Sequence, residues 1–160
     1  MQKILRWTSV TLFMVLCLFL LWFGYVYASV TDMLWFHGAA VPPELHQQFL
    51  PLYLALMNLI GGASFAVGLL AAYVTLVPLR RGAPWAGAAL AIAFALVFVM
   101  AAITAEELAA ATDAPTSWHI MGVLLAVTAA AFAAHAGASR MQQTHGPHAR
   151  SRLKISTAGS

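Results

Sequence analysis

The chain has 160 residues, of which 62% are hydrophobic and only 8% charged, and its formal charge is +3. Soluble domains carry about 25% charged residues to keep a wetted surface, so a water-soluble fold is excluded and a helical bundle facing lipid is expected. The single cysteine, Cys17, rules out an intrachain disulfide and a cysteine-rich zinc site, and the scattered basic residues do not make a nucleic-acid surface.

A helix crosses the roughly 30 Å hydrocarbon core with about 20 apolar residues, and four stretches meet that length. The first, residues 7–27, follows Lys3 and Arg6. Residues 1–28 also read as a signal peptide with Val26, Tyr27 and Ala28 before the cleavage point. The apolar run exceeds the usual 7–15 residues or so of a signal core and ends in bulky aromatics, so an uncleaved anchor is expected.

The link that follows carries Asp32, His37, Glu44 and His46. Pro42-Pro43-Glu44 is a helix start, so the second span, residues 50–77, begins above the membrane and enters it tilted. Asn58 is its one strongly polar side chain, and Gly61 and Gly68 recur near the same face. Small residues let a second backbone approach, and an amide hydrogen-bonds across such a contact, so this stripe is expected to be a packing seam. The competing reading makes Asn58 a ligand contact.

Residues 78–84 form a short turn with proline at both ends, which predicts antiparallel neighbours on either side. The third span, residues 85–105, ends at Glu106 and Glu107. Thr116 or Ser117 is a cap for the fourth span, residues 118–138, which carries His119 and His135. Those two histidines are separated by about 24 Å of helix and cannot ligate one haem; His135 reads as an interfacial polar residue. Residues 141–160 turn polar, with His145, His148, Arg150, Arg152 and Lys154, and read as a disordered basic tail touching anionic lipid.

The charges then separate without exception. Lys3, Arg6, Arg80, Arg81, Arg140, Arg150, Arg152 and Lys154 fall at one end of the spans, and Asp32, Glu44, Glu106, Glu107 and Asp113 at the other. Basic residues in short loops stay cytoplasmic, so both termini are expected inside. The acidic rim supplies the candidate metal ligands: His119 just across a short link from Glu106 and Glu107, joined by His37. Adjacent glutamates point about 100° apart on a helix and form no built pair, and no nucleophile stands beside a base.

The stretches 35–41 (WFHGAAV), 51–62 (PLYLALMNLIGG) and 74–86 (VTLVPLRRGAPWA) resemble a group of small four-helix bacterial inner-membrane proteins of unassigned function, and the overall outline is similar to DoxX-like membrane proteins. The resemblance covers residues 30–138 and implies fold and location, with no catalytic residue carried over. The expected protein is an all-α, up-down-up-down integral membrane four-helix bundle. It reads as a non-enzymatic accessory or interaction subunit, in contact with lipid and with a second copy or a membrane partner. Alternatives are a redox, metal- or ion-handling protein with a metal, haem or quinone at the acidic rim, and a small oligomeric transporter.

Overall fold

A computed structural model describes residues 1–112 and 116–145. It is helical, with no strand among the described residues. Helix α1 spans Gln2–Ala28. A one-turn helix α2, Trp35–Gly38, and a 3-10 turn, Pro43–Leu45, lead into α3, His46–Val74. Helix α4 is Pro84–Thr112 and α5 is His119–His145. Among the described residues, four helices are long and apolar enough to cross a membrane. The last of them continues through the first five residues expected in the tail; residues 146–160, like Asp113, lie outside the described residues.

The second crossing is unusually long, 37 residues from Pro43 to Leu79, or roughly 55 Å at 1.5 Å per residue. It exceeds the roughly 30 Å hydrocarbon thickness. Its far end changes register. Pro78 has no amide hydrogen to continue the ladder, so Thr75–Leu79 form a π-turn. There Arg80 N–H reaches the Thr75 carbonyl at 3.3 Å and Ala83 N–H the Pro78 carbonyl at 2.9 Å. Gly82, at φ 84°, reverses the chain in a conformation that side chains resist, and Pro84 opens α4 where a missing N–H is harmless.

Helix α1 is the hub. It packs along α3 and α5, and α5 packs along α4. Contacts with α3 run in opposite sequence order, Gly24 against Phe65 and Leu21 against Gly68, with Cys17 against Thr75. Across the bundle from α1 to α4, Phe13 stacks on Phe94 with ring centroids 6.1 Å apart. Phe94 stacks on Phe98 at 5.8 Å, and Phe19 meets Phe98 edge-on at 6.1 Å. Such pairs add about 0.5–1.5 kcal/mol each beyond area burial, and Phe13, Phe94 and Phe98 are fully buried.

The expected close pairing of α3 with α4 is only partly present. The two helices are joined through the π-turn but meet along a short stretch. Bulky residues of the loop before α3 lie at the far end, where the pair opens into a cleft. The bundle therefore has two distinct ends. At the basic end Gly82 lies beside both Arg6 and Gln142. At the acidic end Glu106 meets Trp118.

Candidate functional site

Residues 33–45 form a cap at the acidic end, and two side chains of α3 hold it. The His46 imidazole donates from Nε2 to the Val41 carbonyl at 2.8 Å and to the Gly38 carbonyl at 3.2 Å. About two turns further on, the Tyr53 hydroxyl accepts the Leu34 N–H at 3.2 Å. Its own hydrogen is then free for His37 Nδ1, 2.9 Å away. That arrangement makes Nδ1 the acceptor and leaves the imidazole proton on Nε2. Burial holds the His37 pKa below its ordinary value, because a half-buried site disfavours the charged ring. The ring is packed among Phe36 (4.4 Å), Tyr53 (5.5 Å) and Tyr27 (6.4 Å).

Beneath this cap is a cleft of about 300 Å³. Met33 and Val41 of the cap form one wall, Phe49, Leu52, Leu56 and Met57 of α3 another, and Leu108 of α4 closes it. The walls are apolar. Two methionines and a phenylalanine give them conformational latitude, since a thioether fills irregular space at little cost. The volume is at the lower end of the range for small-molecule sites.

The expected ligands of the acidic rim are placed differently. Glu106 Oε1 accepts the Trp118 N–H at 3.3 Å, ahead of the first turn of α5. Ser117 Oγ accepts the His119 N–H at 3.3 Å and also contacts His119 Nδ1; Ser117 is thus the cap of α5. Trp118 stacks on the His119 ring at 4.6 Å. Glu107 is exposed, and His37 is engaged by Tyr53. Among the described residues no three of His, Cys, Asp and Glu come together as a metal-holding group. The carboxylate and hydroxyl of the rim are used to start α5, whose first N–H groups have no helical partner.

The expected seam of Asn58, Gly61 and Gly68 divides. Gly61 and Gly68 are buried against α1 together with Met57, Ser64 and Ala71, whereas Asn58 is exposed. At 100° per residue, Asn58 lies about 100° round the helix from the line through Met57, Gly61, Ser64 and Gly68. It shares its stripe with Ala55, Gly62 and Ala66, all exposed, and a Cβ added at Gly62 would meet nothing within 4 Å.

Polar groups also lie inside the bundle. The Thr75 hydroxyl donates to the Ala71 carbonyl at 2.8 Å, with Cys17 Sγ 3.8 Å away. Ser9, 1% exposed, and His135, 5% exposed, each keep one buried atom, Oγ and Nε2, without a hydrogen-bond partner. The expectation of an interfacial His135 is corrected. Helix α5 runs on for ten residues beyond it, and the ring lies against Gly87 of α4, within 2.7 Å of where a Cβ there would stand. Tyr53 was legible only as one aromatic in an apolar run; its spacing from His46 puts both under the same loop, and that was the available signal.

No family model matches the chain, and the comparisons with curated proteins and with solved structures find no match either.

Proposed function

We propose that this is a multi-pass protein of a bacterial inner membrane, with an up-down-up-down course and both termini in the cytoplasm, that works by binding rather than by catalysis. The charge separation supports the orientation. The support for binding is the cleft beneath the cap: apolar walls, adaptable side chains, and a roof fixed by Tyr53 and His46. Two polar side chains at the cap, His37 and His46, are engaged in holding it. The fitting occupant is a lipid-soluble small molecule. Lipid tails compete for such a site, so selection rests on packing shape rather than on transfer from water.

Native mass spectrometry of the protein in nanodiscs tests this reading. Wild type should retain one lipid-soluble molecule other than a bilayer phospholipid. Leu56→Trp, which fills the cleft, should lose it, and Leu96→Trp on a lipid-exposed face should keep it. Equal retention in both variants, or no bound molecule in wild type, overturns the reading.

A second reading, an interaction subunit, is favoured by Asn58. An amide facing hydrocarbon without a partner is costly, and its flanking small residues allow close approach by another helix. Under oxidation in membranes, Gly62→Cys should give a disulfide-linked dimer that Asn58→Leu weakens. Absence of the dimer removes this reading.

A further inference from the structure

The basic end carries a second site, separate from the cleft. Lys3, Arg6 and Arg80 line one pocket of about 320 Å³ with Trp7 and Val10. Two of the three cations are oriented. Arg6 donates to the Arg80 carbonyl, and the Arg80 guanidinium lies over the Trp7 ring, 5.4 Å from its centroid. Among the described residues no carboxylate side chain is paired with them: Asp32, Glu44, Glu106 and Glu107 occur in the segments leading to or from the acidic end. Three like charges converge on one pocket at a membrane surface, an arrangement that an anion relieves.

The pocket also has a continuation. Lys3 and Trp7 also line a shallow, open groove on one face of α1, which extends past Thr8 and Thr11 to Leu12. From Lys3 to Leu12 is about 13 Å of helix at 1.5 Å per residue, running from the charged end toward the apolar middle. A free phosphate would use only the first part. A phospholipid would use both.

We propose that this is a binding site for an anionic glycerophospholipid, its phosphodiester held by Lys3, Arg6 and Arg80 and one acyl chain laid along the groove from Trp7 to Leu12. The forked Arg guanidinium matches phosphate oxygens, and Trp7 is placed at the headgroup level, where indole is favoured. The site is independent of the cleft reading; either stands if the other falls.

The test is native mass spectrometry of the full chain from nanodiscs holding equal phosphatidylglycerol and phosphatidylcholine. Wild type should retain phosphatidylglycerol selectively. Lys3→Gln and Arg80→Gln should each reduce that preference about fivefold, following the usual worth of one basic residue at a membrane surface. Arg81→Gln, outside the pocket, should leave it unchanged. Arg6 is left intact because it ties α1 to the turn before α4. Thr8→Trp, which fills the chain groove, should weaken lipid retention while the charges remain. Equal retention of both lipids by wild type, or unchanged preference in Lys3→Gln and Arg80→Gln, overturns the proposal. So does displacement of the lipid by millimolar inorganic phosphate, which would assign the pocket to a free anion.

Discussion

Gly24 of α1 and Gly61 of α3 pack backbone to backbone: a Cβ on Gly24 would stand 2.8 Å from the Gly61 carbonyl oxygen and 2.6 Å from the Phe65 nitrogen. Nothing flexible is there to yield, because both neighbours are main chain. Gly24→Ala or Gly61→Ala must therefore push the helices apart, at an expected cost of about 1–3 kcal/mol as for other overpacked interiors. Gly62, one residue on, meets nothing, and Gly62→Ala should instead stabilise α3 by up to about 1 kcal/mol through helix propensity. Thermal unfolding in one detergent should place these variants on opposite sides of wild type. A neutral Gly24→Ala would mean that the seam is not close-packed.

Acidification should loosen the cap through His37. Its folded pKa lies below the ordinary value near 6.5. As pH falls through that value, the unfolded chain takes up a proton before the folded one does. The unfolded state then binds more protons, so stability rises with pH in this window and is lost on acidification. The unfolding midpoint should be level above about pH 7.5 and decline below about pH 6.5, and His37→Gln should flatten part of that decline. Identical pH profiles in the two proteins would refute the assignment.

Tyr53→Phe tests the same cap without titration. It deletes the acceptor for Leu34 N–H and the donor to His37 Nδ1. Leaving two partly buried groups unmatched should cost about 1–3 kcal/mol. Proteolysis within residues 33–45 should become faster than in wild type; an unchanged rate would show that the hydroxyl does not pin the loop.

Ser9 makes the opposite prediction. Its Oγ is buried with no hydrogen-bond partner, so Ser9→Ala removes an unmatched polar atom and only one heavy atom of packing. The variant should unfold at a higher temperature, by about 1 kcal/mol of stability. A lower midpoint would mean that the hydroxyl finds a partner in the folded bundle.

The four crossings were legible because length and lack of interior charge suffice to identify them, and both ends of the bundle were legible from where the charges fall. Which face of a crossing is buried was not. Helix α3 is apolar all round, so its sequence does not say whether the seam passes through Asn58 or 100° away through Met57 and Ser64. At the acidic rim the sequence leaves two uses open. Glu106 is a residue type of a metal or proton site and equally one that satisfies the open N–H groups of a helix start, and only geometry separates the two uses; Ser117 was legible as a cap. His135 was misplaced because the polar composition after Met141 suggested an earlier helix end.

The central position of α1 also bears on biogenesis. The hub precedes α3, α4 and α5 in the chain, so it is made before the helices that cover it. Its buried stripe, from Ser9 through Phe13, Leu16 and Cys17 to Gly24, then faces lipid until α3 supplies its glycine seam. Of the α1 contacts, that with α5 forms last, because α5 follows the other helices in the chain. Each arriving helix meets a surface already formed, and an arrest before α5 would leave one flank of the hub uncovered.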